Sequence, residues 1–529
     1  MKTRKLITVM VLPFLLASCS KRNTSTANEK YDVYSLSTGY FSTTYGKTRI
    51  VSDSSLFLSP FNTVITGKVL SVANTYHEED YKDMEDMFSD TFFYYHALLD
   101  RHYYYRSYKD NDETNDDRAY LNNVKVINDS YGTETPIAVD PFLYDVLKQS
   151  YEFTLNSDLK FNMFLGTLNE VYEEKLATLK QNMTSLDVTM TLLNKATFSQ
   201  DFESREIEDI VSTLPNTKEE VENLLSFDDT NRTVTFHKLE KADRLEISLG
   251  GNGKGFATEA ISRKMKEKYQ GLSMSVNSGT SSIKAIGTRP DLKDWNIVYS
   301  NPVYNETLQA SERIINPYNP YEVALKKKGE FNISTSGYYE QYFYVYDGED
   351  TFKRRCHIID SKTGYSHQYF DQISVLIDNT GLADMYTTAL MNTDSVEECQ
   401  ALFEKLNGIY DEKDASLILC FKTEADKNDT LFSYKMSDIT NTYTLNGKTY
   451  PEVTLPDKTD YRGDYGDFDS SLFFKTEPAI IASKAVRNFK ETYVVSQNLK
   501  DSLYLLDPDK YPTYVTNRDN IISRIEAEL

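Results

Sequence analysis

The spacing of apolar and polar positions changes along the chain and predicts where helices lie. The stretch "DYKDMEDMFSDTFFYYHALLDRHYYYRSY" (residues 80–108) carries apolar and aromatic residues at helical spacing, which predicts one long packed helix. The segment "PFLYDVLKQSYEFTLN" (141–156) predicts a second helix. In "TKEEVENLLSF" (217–227), Thr217 precedes Glu220 by three residues, a pattern typical of the capping box that begins a helix.

Short runs with strand character alternate with these helices. The first is "FNTVITGKV" (61–69), in which apolar and polar residues alternate. Others follow in the order "TVTFHKL", "LEISLGG", "LSMSVNSG", "WNIVYSNP", "FNISTS", "YFYVYD", "CHIID" and "QISVLID". This mixture predicts an α+β fold with mixed or antiparallel sheets and packed helices, and it argues against a doubly wound parallel sheet.

Composition and charge narrow the classes of function. The chain has 529 residues, of which 40% are hydrophobic, so it is long enough to bury a large core. Its 58 Lys and Arg against 80 Asp and Glu give a formal net charge of −22. This charge repels a phosphate backbone, so we expect no nucleic-acid partner. Any phosphate group must be held locally, by backbone N–H groups, a few cations or a divalent metal ion.

The N-terminus reads "MKTRKLITVMVLPFLLASC", in which basic residues precede an apolar run too short for a comfortable membrane span. This pattern predicts a signal peptide over residues 1–18. Its end, Leu-Ala-Ser-Cys, resembles a bacterial lipobox, which implies cleavage before Cys19 and lipidation there. An uncleaved anchor helix is the alternative, although Pro13 interrupts the run. We therefore expect an extracytoplasmic protein held to the bacterial cytoplasmic membrane by its lipid anchor, with residues 19–58 forming the lipidated Cys, tether and lead-in.

A glycine-rich connection is the first segment that could carry chemistry. In "SLGGNGKGFATEAISRKMKEKY" (248–269), four glycines fall within six residues, between a predicted strand ending at Leu249 and a predicted helix. Glycines allow the backbone to approach a ligand closely, and a helix N-terminus offers N–H donors to an anion. The segment could therefore bind phosphate or form only a tight turn. It lacks the full spacing of a Walker A loop or a dinucleotide fold.

Two further segments place polar groups at predicted strand ends. "ISTSGYYEQYF" (333–343) presents hydroxyls beside Gly337, although turns stabilised by Ser and Thr are common. "CHIIDSKTGYS" (356–366) places His357 among apolar residues, where a histidine is more often structural. Each segment has a purely structural interpretation.

The segment "GLADMYTTAL" (381–390) reads as a helix with Asp384 and Thr388 four positions apart, on one face. One carboxylate and one hydroxyl would suit Mg²⁺, which prefers oxygen ligands and takes the rest from substrate phosphate and water. An ordinary solvated face is the alternative.

The order of the segments is more specific than any one of them. "FNTVIT", "LNNVKVIND", "LKFNMFLGTL", "SLGGNGKGFA", "NSGTSSIKAIGTRPD", "STSGYYEQYF", "HIIDSKTGY" and "ADMYTTAL" occur in this sequence in series. The series resembles the ApbE family, the FAD:protein FMN transferases. The resemblance implies one large catalytic domain of ApbE-like fold over residues 59–440. Beyond it the composition changes to a stretch rich in Tyr, Asp and Pro, so we expect residues 441–529 to form a C-terminal extension of unknown role.

The resemblance also implies an activity. Members of this family cleave the pyrophosphate of FAD, move FMN onto a Thr or Ser hydroxyl of an acceptor protein and release AMP, with Mg²⁺ required. FAD would be a substrate, and the acceptor would be an exported protein. The alternatives are a lipoprotein that binds flavin or hydrolyses FAD without modifying proteins, and a surface adhesion or substrate-capture lipoprotein.

Residue by residue, Asp384 and Thr388 match the family's side-chain metal ligands, and Gly251 matches a backbone carbonyl ligand. The catalytic positions would be Asp384, Thr388 and His357, with His357 contacting phosphate and not the metal. The positions expected to contact FAD are Phe161, Asn162, Ser248, Gly250, Lys254, Ser336, Gly337 and His357. The sequence departs from the family pattern at several positions. Ser248 and Tyr338 each stand where the family has Asp, Asn252 and Gly253 replace its Ile-Ala, and Thr280 replaces a Gly.

Overall fold

A computed structural model gives the fold of much of the chain between residues 30 and 505. The described residues are 30–38, 50–52, 59–107, 119–182, 201–279, 281–300, 321–338, 341–346, 352–421, 441–445, 448–452, 479–486, 489–499 and 502–505. The predicted signal peptide over 1–18 and Cys19 lie outside these ranges, as does most of the lead-in to residue 58.

The strands of the described residues are short. In chain order they are β1 (Tyr31–Ser37), β2 (Ile50–Ser52), β3 (Ile65–Val72), β4 (Tyr105–Ser107), β5 (Ala119–Tyr120), β6 (Ile137–Ala138), β7 (Leu225–Asp228), β8 (Thr233–Phe236), β9 (Ser273–Ser278), β10 (Ser282–Ile286), β11 (Trp295–Ser300), β12 (Tyr321–Lys327), β13 (Phe331–Gly337), β14 (Tyr342–Tyr346), β15 (Phe352–Cys356), β16 (Phe370–Leu376), β17 (Ser416–Phe421), β18 (Asn441–Leu445), β19 (Lys448–Glu452), β20 (Ala479–Val486), β21 (Phe489–Val495) and β22 (Leu503–Leu505).

The α-helices lie mostly before β9 and after β16. They are α1 (Glu78–Leu99), α2 (Val124–Asp129), α3 (Pro141–Asn156), α4 (Gly166–Asn182), α5 (Ser204–Thr213), α6 (Lys218–Glu222), α7 (Gly253–Lys268), α8 (Thr380–Met391) and α9 (Val396–Tyr410). Single 3-10 turns lie at Pro60–Asn62 and Gln497–Leu499. Within the described ranges, no helix combines the length and hydrophobicity that a membrane crossing requires.

One large sheet organises the fold. Its strand order is β1-β3-β9-β10-β13-β16-β17-β21-β20, and each neighbouring pair is antiparallel. Smaller antiparallel sheets are β11-β12-β22, β14-β15, β18-β19, β2-β4-β5 and β6-β8-β7. The α+β prediction with antiparallel sheets and packed helices is confirmed.

The large sheet is covered on both faces. Along β17, Leu417 and Leu419 belong to the main hydrophobic core with the helices, whereas Ile418 and Cys420 belong to a second core. Successive side chains of a strand point to opposite faces, so both faces of β17 are packed. The buried Leu499 joins the second core from the 3-10 turn near the C-terminus.

Part of the segment predicted as a C-terminal extension contributes to this architecture. β21 pairs with β17, β20 continues the sheet beyond β21, and β22 pairs with β12. The boundary at residue 440 stays a prediction.

Several predicted elements are confirmed. The helix predicted over 141–156 is α3 with the same bounds. The capping box is present at α6, where Thr217 Oγ1 accepts a hydrogen bond from the Glu220 N–H at 3.2 Å.

The helix predicted over 80–108 ends early. It is α1, which begins at Glu78 and ends at Leu99, and part of the remaining segment forms β4. Asp100 has an extended backbone, and its carboxylate accepts a hydrogen bond from the His102 N–H at 2.7 Å. This local bond competes with continuation of the helix.

Two predicted strands are wrong. Residues 245–251 form no strand, because their backbone bonds go elsewhere: the Ser248 N–H donates to the Met163 carbonyl at 2.8 Å, and the Ile247 N–H donates to the side chain of Asn128 at 2.8 Å. The run 356–360 contributes only its first residue to β15, after which the chain turns.

Candidate functional site

Asp384 lies in the first half of α8 and is 5% exposed. Three donors reach its carboxylate. The Gly255 N–H donates to Oδ2 at 2.8 Å, the Ser282 hydroxyl donates to Oδ1 at 2.7 Å, and the Ser334 hydroxyl donates to the same Oδ1. Since a carboxylate oxygen accepts about two hydrogen bonds, Oδ2 retains an acceptor position that these three donors do not fill.

The donors reach Asp384 because α7 and α8 approach each other closely. A Cβ at Gly255 would lie 2.4 Å from the Thr380 carbonyl oxygen and 2.7 Å from Asp384 Oδ2. A Cβ at Gly381 would lie 2.4 Å from the ring of Phe256. Only glycine at these two positions permits the observed helix contact.

The two serines come from neighbouring strands. Ser282 on β10 and Ser334 on β13 are direct partners in the antiparallel register. Side chains of directly opposed residues lie on the same face of the sheet, so both hydroxyls point toward α8. The register of the sheet therefore fixes how Asp384 is held.

Burial raises the pKa of the Asp384 carboxyl above its ordinary value. The charge of Lys254 and the three hydrogen bonds act in the opposite direction. A buried carboxylate is costly unless it is paired, so a bound cation at this position would be stabilised strongly.

One turn further along α8, Thr388 faces the glycine-rich turn. Its hydroxyl donates to the Gly251 carbonyl, with 3.3 Å between the oxygens. Phe161 lies on the same side, because a Cβ at Gly251 would be 3.5 Å from its Cε2. The fold thus brings Thr388, Gly251 and Phe161 together.

These oxygens suit the metal ion that the resemblance implies. Adjacent ligands of an octahedral Mg²⁺ are about 2.9 Å apart, close to the separation of the Thr388 hydroxyl and the Gly251 carbonyl oxygen. Asp384 stands on the same helix face four residues earlier. In the part of the chain that the structure describes, no group of three or more His, Cys, Asp or Glu side chains is arranged to hold a metal. A metal beside Asp384 would use oxygens of three kinds: the Asp384 carboxylate, the Thr388 hydroxyl and the Gly251 carbonyl.

The glycine-rich turn leads directly into α7. Gly250 and Gly251 are exposed, so a ligand can approach their backbone. Lys254 lies in the first turn of α7, and its charge acts on Asp384. The Ser248 hydroxyl accepts a hydrogen bond from the Asn169 amide at 3.0 Å, which ties the start of the turn to α4.

Ser336, Gly337 and Asn162, which the sequence also predicts as site residues, make contacts of their own. Ser336 donates to the Thr387 hydroxyl at 2.8 Å, which in turn donates to the Asp384 carbonyl at 3.0 Å. Gly337 is buried at the end of β13. The Asn162 side-chain oxygen accepts a hydrogen bond from the Phe164 N–H at 2.9 Å.

His357 is exposed immediately after β15, and its contacts place it beside the start of β14. Its N–H donates to the Gln341 carbonyl at 3.2 Å, and its ring Nδ1 is 3.4 Å from the same oxygen. Tyr338, which stands where the family pattern has Asp, is fully buried, and its hydroxyl donates to the Met391 carbonyl at 3.3 Å. It belongs to the core.

Sequence analysis missed the residues that hold Asp384. Ser282 and Ser334 lie within the quoted blocks, but a serine in a strand carries no sign of its partner. A second group supports the helix contact: Glu259 accepts hydrogen bonds from Lys284 and from Thr380, the first residue of α8. Neither set could be found from local spacing, because the partners lie on different elements.

Comparison with known proteins gives one family. The sequence model of the ApbE family matches residues 108–410. No match to the chain is found among curated proteins.

Several solved structures are similar. The ApbE protein from Thermotoga maritima has 18% identity and a TM-score of 0.45, covering 70% of this chain and 94% of its own. The flavin transferase ApbE from Vibrio cholerae has 16% identity and a TM-score of 0.45, covering 71% and 94%. The flavinyl transferase ApbE from Pseudomonas stutzeri, in its apo form, has 16% identity and a TM-score of 0.44, covering 71% and 92%.

The hydrogen bond from Ser334 to Asp384 leads to a stability prediction. Ser334→Ala should lower the free energy of unfolding by about 1.5–3 kcal/mol, because the lost bond has a charged acceptor. Ser374→Ala is the matched control: Ser374 is also a buried strand serine, but its hydroxyl pairs with that of Thr335 at 2.7 Å. The control should cost about 0.5–1.5 kcal/mol. Urea unfolding at neutral pH measures both, and equal losses would contradict the assignment of a charged partner to Ser334.

Proposed function

Because the chain belongs to the ApbE family, we propose that it transfers a flavin nucleotide to another protein. In the proposed reaction, the pyrophosphate bond of FAD breaks, the FMN phosphorus joins a Thr or Ser hydroxyl oxygen of an exported acceptor, and AMP leaves. The hydroxyl proton is released. The observation that carries the proposal is the buried Asp384 carboxylate beside the N-terminus of α7, one turn before Thr388, whose hydroxyl contacts the Gly251 carbonyl.

The residues of the site have separate roles in the proposed reaction. Asp384, Thr388 and the Gly251 carbonyl would hold Mg²⁺, which when bound neutralises charge on phosphate oxygens. Phosphoryl transfer depends mainly on positioning and on neutralisation of charge. Lys254 adds a cation at the start of α7, and the exposed glycines let the pyrophosphate approach the backbone. A chain of net charge −22 can therefore bind an anionic substrate locally.

Ser248 supports a second candidate function. A shorter, uncharged side chain stands where the family pattern has Asp, and its hydroxyl is engaged by Asn169. If this position determines the orientation of the flavin in the site, the protein would bind FAD or hydrolyse it to FMN and AMP without transferring FMN to a protein.

A transfer assay tests the main proposal. Purified protein with FAD, Mg²⁺ and a candidate acceptor should increase the intact mass of the acceptor by one FMN and release AMP. Asp384→Asn should reduce the transfer rate by about a hundredfold, because it removes the charge that attracts the metal while keeping the shape of the side chain. Asp378→Asn is the matched control, since Asp378 is exposed two residues before α8.

The outcomes separate the two functions. AMP and free FMN without a change in acceptor mass would favour the hydrolytic alternative. No change in mass with several exported acceptors, and no AMP, would contradict both. An equal loss in the Asp378 and Asp384 variants would contradict the role given to Asp384.

We also propose that the protein is lipid-anchored through Cys19 on the outer face of the bacterial cytoplasmic membrane, as the lipobox-like sequence suggests. Cys19→Ser should move the protein from the membrane fraction into the soluble extracytoplasmic fraction, because it removes the acylated residue. Cell fractionation measures this change of location, and labelled palmitate measures the acylation. The anchor would be contradicted if the Cys19→Ser variant stays in the membrane fraction and the wild type carries no palmitate label.

A further inference from the structure

The turn before β3 has an unusual backbone. Phe61 has φ 55° and ψ 24°, and Asn62 has φ 54°. Both values lie in the left-handed region, which side chains other than glycine adopt at a cost, and a bulky residue such as Phe pays more than Asn. Two such residues in succession persist only where surrounding contacts hold them.

His96 on α1 supplies one of these contacts. The Phe61 N–H donates to His96 Nδ1 at 3.3 Å, and the two rings meet edge to face with their centres 5.3 Å apart. The turn also closes on itself, because the Asn62 N–H donates to the Ser59 carbonyl at 3.0 Å. The side chain of His96 thus anchors the backbone at the left-handed Phe61.

The other ring nitrogen of His96 is held as well. His96 is 8% exposed, and its Nε2 lies 3.3 Å from the Tyr105 hydroxyl, which donates to the Asp100 carboxylate. Because Nδ1 accepts from Phe61, the proton of the neutral ring is on Nε2 and points to the Tyr105 oxygen. Burial lowers the pKa of His96, which keeps the lone pair on Nδ1 available. Tyr105 and Asp100 therefore select the tautomer that binds the turn.

The same turn contacts the glycine-rich turn of the candidate site and also Gly279. A Cβ at Gly253, the first residue of α7, would lie 3.3 Å from Phe61 Cε1. A Cβ at Gly279, after β9, would lie 2.4 Å from the Thr63 hydroxyl oxygen. The turn at residues 60–63 is therefore packed against the glycine-rich turn and against Gly279, which follows β9.

We propose that His96 is a positioning residue for flavin binding, acting through the backbone of Phe61. It holds the left-handed turn against the N-terminus of α7, where the turn forms one wall of the flavin site. His96 itself is buried beneath the turn and does not touch the substrate. This inference rests on the proposed flavin function.

Two variants of His96 separate the roles of its ring nitrogens. In His96→Asn the amide oxygen lies near the position of Nδ1 and can still accept from Phe61. In His96→Gln the amide lies near the position of Nε2, so the bond to Phe61 is lost.

FAD binding, followed by flavin fluorescence in the full chain, should weaken about tenfold in His96→Gln, as expected for a lost hydrogen bond of about 1.4 kcal/mol. His96→Asn should stay within about threefold of the wild type. In the transfer assay the loss should appear in KM for FAD and not in kcat, because the turn acts on binding. A purely structural role would instead lower thermal stability and leave KM unchanged.

Hydrogen exchange gives a measurement that is independent of flavin. The amide of Phe61 should be protected in the wild type and in His96→Asn, and it should exchange faster in His96→Gln. If the wild type binds FAD but the Asn and Gln variants bind it equally well, the inference is overturned while the proposed function stands. If the wild type does not bind FAD, the proposed function fails. Equal exchange of the Phe61 amide in the wild type and all variants would show, independently of flavin, that His96 does not hold the turn.

Discussion

The burial of one carboxylate between two helices and a sheet is the constraint on which the site depends. Asp384 is held from three directions, by a backbone N–H of α7 and by hydroxyls of β10 and β13. Each donor requires a different feature of the fold: glycine at residue 255, the strand register that opposes Ser282 and Ser334, and the packing of α8 on that sheet face. Loss of any one of these features would change the orientation of the carboxylate or expose it to solvent.

In the proposed function, this arrangement would let an acidic protein bind a phosphate group. Burial opposes ionisation of Asp384, and a cation beside the carboxylate would offset that cost. The Thr388 hydroxyl, one turn further along α8, and the Gly251 carbonyl that it contacts provide further oxygens. Lys254 and the open glycine turn add local positive potential and backbone access. The site thus depends on a few placed groups and is compatible with the net charge of the whole chain.

The sequence predicts those parts of the structure that local patterns determine. The bounds of α3 follow from its apolar spacing, and Asp384 and Thr388 share a helix face as their separation requires. Predictions failed where a contact with a distant residue decides the backbone. Residues 245–251 look like a strand, yet their amides bond to Met163 and Asn128, and α1 stops where Asp100 binds the His102 amide. Ser282, Ser334 and His96 escaped notice because their partners come from other elements.

Intact mass of exported proteins, co-expressed with the wild-type chain or with Asp384→Ala, tests the central claim most directly. The account predicts that at least one exported protein gains the mass of one FMN with the wild type and not with the variant. Such a protein would also identify the acceptor. Identical masses with both chains, when both are expressed and folded, would contradict the claim that this chain transfers flavin through the Asp384 site.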